Sequence, residues 1–112
     1  MQLKLLKYVL DIESVIEEIE SIKQKTQNDF QNFSDDIILQ RAVERDLEII
    51  GEATRKMTEI NPALQITASK NIIGLRNIIS HAYDTVEPEM LWGIIQKNIP
   101  VLADEIRKIK GP

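Results

Sequence analysis

The chain has 112 residues, 43% of them hydrophobic and 29% charged, which suits one folded domain spanning 1–112 and would starve a second core. It has no cysteine, which excludes disulfides, thiolate catalysis and zinc-finger-like metal sites. The formal net charge is -4 and its lysines and arginines are scattered, so general duplex binding is not expected and DNA is not a predicted partner; a small RNA site lined by a few arginines is still allowed.

From Leu3 to about Thr26 the apolar positions Leu6, Val9, Ile12, Val15, Ile16, Ile19 and Ile22 recur every three or four residues, which predicts a helix with one core face. Lys4 and Lys7 are followed by Asp11, Glu13, Glu17 and Glu18 too soon for a secretory apolar core or a membrane span, so a cytoplasmic protein is expected. Gln27, Asn28 and Asp29 read as a connector pinned by Phe30 and Phe33. Ser34 is the predicted N-cap of a second long helix, with Asp35 and Asp36 in its first turn at the favourable end of the dipole.

The second helix is predicted to run to about Glu59 through Ile38, Ala42, Leu47, Ile50, Ala53 and Met57, with Asn61-Pro62 ending it. A short irregular linker follows, and Thr67 or Ser69 is expected to cap a third helix carrying Ile72, Leu75, Ile79 and Ala82 on one face. Pro88 fits the first turn of a fourth helix that directs Leu91, Trp92, Ile95, Ile99, Leu102, Ile106 and Ile109 inward. Pro100 falls inside that periodicity, and the spacing resumes in register beyond it, which predicts a kinked but continuous helix. The expected architecture is all-α, an antiparallel four-helix bundle with a short irregular linker before the third helix.

The third helix holds the only histidine, His81, within Arg76-Asn77-Ile78-Ile79-Ser80-His81-Ala82-Tyr83. The run offers a permanent cation, a proton carrier near neutral pH and a phenolic hydroxyl, two of which a phosphodiester-handling site needs. In a regular helix Arg76 shares a face with Ser80 and Asn77 with His81, while Arg76 and His81 differ by about 140°. These groups suit either a cleft at the helix end or a structural polar network between helices. Cleaving RNA by acid–base chemistry takes one group to remove the 2′-hydroxyl proton and another to protonate the leaving oxygen, which one histidine does not readily supply in a single stroke. A twofold homodimer would bring two copies of Arg76 and His81 to a shared cleft.

The arginine, four residues, histidine, one residue, tyrosine pattern from Arg76 to Tyr83 resembles the motif of the HepT toxin branch of the HEPN superfamily. Almost the whole chain shares the resemblance, including Arg41 to Ala53 before the motif and Leu91-Trp92-Gly93-Ile94-Ile95 after it. The resemblance implies an all-helical homodimer whose paired motifs form an endoribonuclease cleft, with Arg76 and His81 catalytic and Asn77 and Ser80 in support. It implies further a partner, a minimal nucleotidyltransferase antitoxin of the MntA type, which uses ATP and magnesium to transfer AMP to Tyr83; the toxin itself would need no cofactor. Many relatives carry an isoleucine-proline-tryptophan segment shortly before the motif helix, where this chain has Gln65-Ile66-Thr67-Ala68-Ser69-Lys70.

Glu44, Glu48 and Glu52 recur every four residues, which suits either a carboxylate ridge facing Arg76 or a wet helix face paired locally with Arg41, Arg45 and Arg55. With one histidine and no compact carboxylate-rich loop, no metal centre is expected. Two other roles compete with a ribonuclease toxin: a noncatalytic nucleotide- or RNA-binding subunit, and a structural bundle that regulates a partner nucleotidyltransferase.

Overall fold

A computed structural model describes residues 2–67 and 87–111 of the chain, which are all-helical apart from turns and connecting segments. The first helix, α1, spans Leu3–Lys25 and buries Leu5, Val9, Ile12, Val15, Ile19 and Ile22. Its buried row therefore begins at Leu5 instead of the expected Leu6, because Leu5 lies one helical turn before Val9 and Leu6 is rotated off that face by about 100°. The helix closes in a Schellman motif. Gln27 takes φ 57° and donates to the Gln24 carbonyl at 3.0 Å, while Asn28 donates to the Lys23 carbonyl at 2.8 Å.

A short helix follows, α2, Phe30–Ser34, capped by Asp29, whose carboxylate accepts from the Gln31 amide at 2.8 Å. Phe33 is fully buried and Trp92 tilts against it with ring centroids 5.2 Å apart, so this connector is pinned as expected. The cap of the second long helix is not Ser34 but Asp36, whose Oδ1 accepts from the amides of Ile38 and Leu39, both at 3.1 Å. Ser34 is already committed as the last residue of α2, and its carbonyl accepts from Gln40 Nε2 at 2.9 Å. An ionised carboxylate at this position also meets the positive end of the helix dipole.

Helix α3, Ile37–Ile60, buries Val43, Leu47, Ile50, Ala53 and Met57. Ile38, expected on the core face, is 76% exposed, and Ala42 is only partly buried. The stripe runs instead through Val43, four residues before Leu47, since Ile38 sits in the first turn on the opposite side. Asn61 ends the helix in an extended conformation, as the residue before a proline favours, and its side chain accepts from the Ala63 amide at 3.1 Å.

The last rod begins with α4, Pro88–Gly93, passes through a π turn at Ile94–Asn98 and continues as α5, Ile99–Lys110. Backbone dihedrals stay right-handed helical through Ile94, Asn98 and Ile99, so the rod is continuous, and the widened turn is the device that accommodates Pro100. In a regular helix the proline would lack its amide donor and its ring would strike the carbonyl four residues back. Here the Ile99 amide reaches the Ile94 carbonyl, five residues back. Leu91, Ile95, Ile99, Leu102 and Ile106 are buried as the periodicity predicts.

Helix α1 runs antiparallel to both neighbours. Lys110 of α5 pairs with Glu13 at 3.1 Å while Gln96, earlier in the rod, bonds Asn28 beyond the end of α1 at 2.7 Å. On the other side, one groove joins Lys7 to Glu52 and a second joins Glu18 to Asp46, so the numbering of α1 and α3 runs in opposite senses. The predicted third helix lies outside the described residues, as does the four-helix count that depends on it. Among the described residues no helix is long and apolar enough to cross a membrane.

Candidate functional site

Arg76, Asn77, Ser80, His81 and Tyr83 all lie outside the described residues. The structure defines the two points at which the chain enters and leaves the segment that bears them. On the entering side Leu64 is half-buried and Ile66 is buried, so the linker is fastened to the core before the segment begins. The next residue, Thr67, donates both its backbone N–H and its hydroxyl to the same oxygen of Glu105, Oε2, at 2.7 and 3.0 Å. The chain thus seats Ile66 in the core and ties Thr67 to α5. On the leaving side the Glu87 carbonyl accepts from the amides of Met90 and Leu91, and Pro88 opens α4 without needing a donor.

The glutamates at 44, 48 and 52 do not form one uniform face. Glu44 is largely buried, and its two oxygens both accept from Arg41 Nη1, at 3.1 and 3.0 Å. Glu52 pairs with Arg55 at 2.6 Å, and Arg55 reaches Glu59 as well. These two carboxylates hold the Arg55 guanidinium above its ordinary pKa, Glu52 contributing most. Arg41 and Arg55 are thus local partners as one of the two sequence readings expected; Arg45 instead lies beside Asp46.

Two open grooves flank the α1–α3 seam, and both are rich in carboxylates. The first, of about 380 Å³, is lined by Glu48, Glu52, Tyr8 and the Lys7–Asp11 ion pair. The second, of about 490 Å³, contains Glu18, Arg45 and Asp46. Asp46 is buried beside Glu18, so burial first and the neighbouring carboxyl second push its pKa up to about 8, against the opposing pull of Arg45. The excess of carboxylates in the first groove disfavours a phosphate there.

The sequence reading missed both Asp46 and Glu105. For Asp46 a signal was available, since Val43, Asp46, Ile50, Ala53 and Met57 fall at alternating spacings of three and four, placing one carboxyl on the apolar stripe. For Glu105 there was none, because its bond to Thr67 joins residues 38 apart in the chain.

Comparison with known families matches residues 12–109 to a family model described as ribonuclease HepT-like. The chain belongs to this family. The matched span takes in the Arg76 to Tyr83 motif and all but the first turns of the HepT-like bundle. A relative from Caldanaerobacter subterraneus subsp. tengcongensis, named "Putative RNase", is 32% identical over 88% of this chain and 89% of its own length. A "Putative RNase" of Methanocaldococcus jannaschii is 33% identical over 70% of this chain and 72% of its own. A "Probable ribonuclease HepT" of Thermococcus cleftensis is 31% identical over 88% and 92%. No solved structure matches. The family is the HepT toxin branch of the HEPN ribonucleases, as the motif resemblance indicated.

Proposed function

We propose that this HepT-like chain is the toxin of a type VII toxin–antitoxin pair, a metal-independent endoribonuclease acting from a composite cleft of a homodimer. The observation that carries this reading is the arginine–histidine–tyrosine motif from Arg76 to Tyr83, lying inside the span matched to HepT-like ribonucleases. In the proposed reaction His81 of one protomer takes the proton of a ribose 2′-hydroxyl as that oxygen attacks the adjacent phosphorus. The bond from phosphorus to the 5′-oxygen breaks, and the second protomer's copy of the histidine protonates the departing oxygen. Arg76 of each protomer neutralises charge growing on the nonbridging oxygens, with Asn77 and Ser80 orienting the phosphate or ribose.

Control is proposed to come from an MntA-type minimal nucleotidyltransferase. The Tyr83 hydroxyl attacks the α-phosphorus of ATP and gives up its proton, the bond from that phosphorus to the β-phosphate oxygen breaks so that pyrophosphate leaves, and the attached AMP occupies the cleft beside Arg76. The deciding experiment incubates the chain with its cognate transferase, ATP and magnesium, maps added AMP by peptide mass, and assays RNA cleavage before and after. AMP at Tyr83 with loss of cleavage is expected, and Tyr83→Phe resists both effects. Cleavage that persists in a folded, dimeric His81→Ala variant rejects the catalytic assignment. Specific RNA binding by the wild-type chain without cleavage favours the noncatalytic subunit instead.

A further inference from the structure

On α5 the Glu105 carboxylate bonds a residue 38 positions away, whereas its neighbours Asp104 and Arg107 pair with each other within one turn at 2.7 Å. Its backbone is fixed by the buried Leu102 and Ile106 on either side, so the carboxylate is presented from a rigid scaffold. A single oxygen receives two donors from one residue, the amide and the hydroxyl of Thr67. Two bonds to one residue fix more than its position. The amide bond sets the plane of the peptide joining Ile66 to Thr67, and the hydroxyl bond selects one rotamer of a β-branched side chain. Thr67 is the last described residue before the segment that carries the motif, and Arg76 follows it by nine positions.

We propose that Glu105 is a positioning residue for the ribonuclease reaction, its two-donor hold on Thr67 fixing the backbone from which the chain runs on toward Arg76 and His81. The proposal rests on the ribonuclease reading for its effect on activity, while the hold itself is a matter of structure. Ile66 seats the chain in the core immediately before Thr67. Glu105 adds direction. A group that must meet a phosphate within hydrogen-bonding distance is sensitive to such direction, since displacements near 1 Å are enough to lower turnover.

The test uses the full-length protein, with Glu105→Ala, Glu105→Gln, Thr67→Val and the Glu105→Ala/Thr67→Val double variant. A labelled single-stranded RNA of mixed sequence reports kcat and KM, and amide hydrogen exchange reports local opening peptide by peptide. Glu105→Ala is expected to lower kcat about tenfold with KM changed less than about twofold, and to speed exchange in peptides from residues 68–86 while those from α1 and α3 are unchanged. Glutamine keeps a carbonyl oxygen that accepts both donors, so Glu105→Gln is expected to restore most of both properties. Thr67→Val removes one donor and is expected to act in the same direction, with the double variant no worse than Glu105→Ala alone. Unchanged exchange in Glu105→Ala overturns the proposal. So does equal loss in the glutamine and alanine variants, or simple additivity in the double variant. If the wild-type chain cleaves no RNA, the ribonuclease reading fails separately and the exchange data alone decide the hold: faster exchange confined to residues 68–86 sustains it, and exchange that is unchanged or faster everywhere refutes it.

Discussion

Helix α1 meets its two neighbours in opposite electrostatic styles. Against α5 its wet edge carries opposite charges, Glu13 and Lys110, 3.1 Å apart and both substantially exposed. Against α3 it brings like groups together, Glu18 and the buried Asp46, whose pKa is pushed up to about 8 first by burial and then by that neighbouring carboxyl. The first contact is ordinary surface pairing and contributes little. The second favours a proton on Asp46 below about pH 8, so the strength of the α1–α3 seam depends on pH. A carboxylate pair at a seam thus says more about a fold's working conditions than an ion pair on its rim.

The largest effect should come from the core that both seams share. Ile12 is fully buried in the hydrophobic core to which all the rods contribute, and Ile12→Ala is expected to destabilise the chain by about 2–5 kcal/mol, the range for a truncated aliphatic side chain that leaves a cavity. Denaturant unfolding would show it as a lower midpoint. A loss below about 1 kcal/mol would mean the two seams do not converge on one core.

The Asp46 proton gives the next largest effect and sharpens the contrast directly. Its folded pKa is raised to about 8 from an ordinary value near 3.8, so folding takes up a proton between those limits. The associated stability is fully present below pH 4 and is lost as the pH rises through about 8. Between pH 6 and 9, where ordinary carboxylates are already ionised, the wild-type chain should weaken progressively. Asp46→Asn, which keeps a donor for Glu18 and cannot ionise, should gain on it by about 1–3 kcal/mol across that range. Parallel stability curves for the two proteins would remove the special status of this seam.

Smaller again is the cap of α3. Asp36→Ala leaves the Ile38 and Leu39 amides without their acceptor and is expected to cost about 0.5–2 kcal/mol, whereas Ser34→Ala should cost less, because Ser34 is not the cap. Thermal unfolding of the two variants side by side would check the order. Smallest of all is the rim pair. Lys110→Ala should change stability by no more than about 1 kcal/mol, with an effect that shrinks in high salt. A larger, salt-independent loss would erase the difference between the two seams.

Much of the frame was legible from residue spacing. The buried row of α1 from Val9 onward and that of the last rod from Leu91 to Ile106 follow three–four periodicity, and the Asn61-Pro62 step marks the end of α3 because a residue before proline leaves the helical region. Ser34 and Asp36 were harder to separate. Both are good capping residues, and the choice turned on whether Phe30 to Ser34 would itself wind into a helix, which depends on Phe33 finding Trp92. The motif from Arg76 to Tyr83 was legible as chemistry and family membership, although its side chains lie outside the described residues.

The sequence by itself determined where α1, α3 and the last rod run, that they are amphipathic, and which family the chain belongs to, because helical periodicity and short motifs are local properties carried by consecutive residues. Only the tertiary structure decided that Pro100 is absorbed by a π turn, that Asp46 is buried beside Glu18 with a raised pKa, and that Thr67 is held by Glu105. The first depends on how the rod relieves a clash between proline and a preceding carbonyl. The other two depend on dielectric surroundings and on partners supplied by distant parts of the chain, which exist only once the helices have packed.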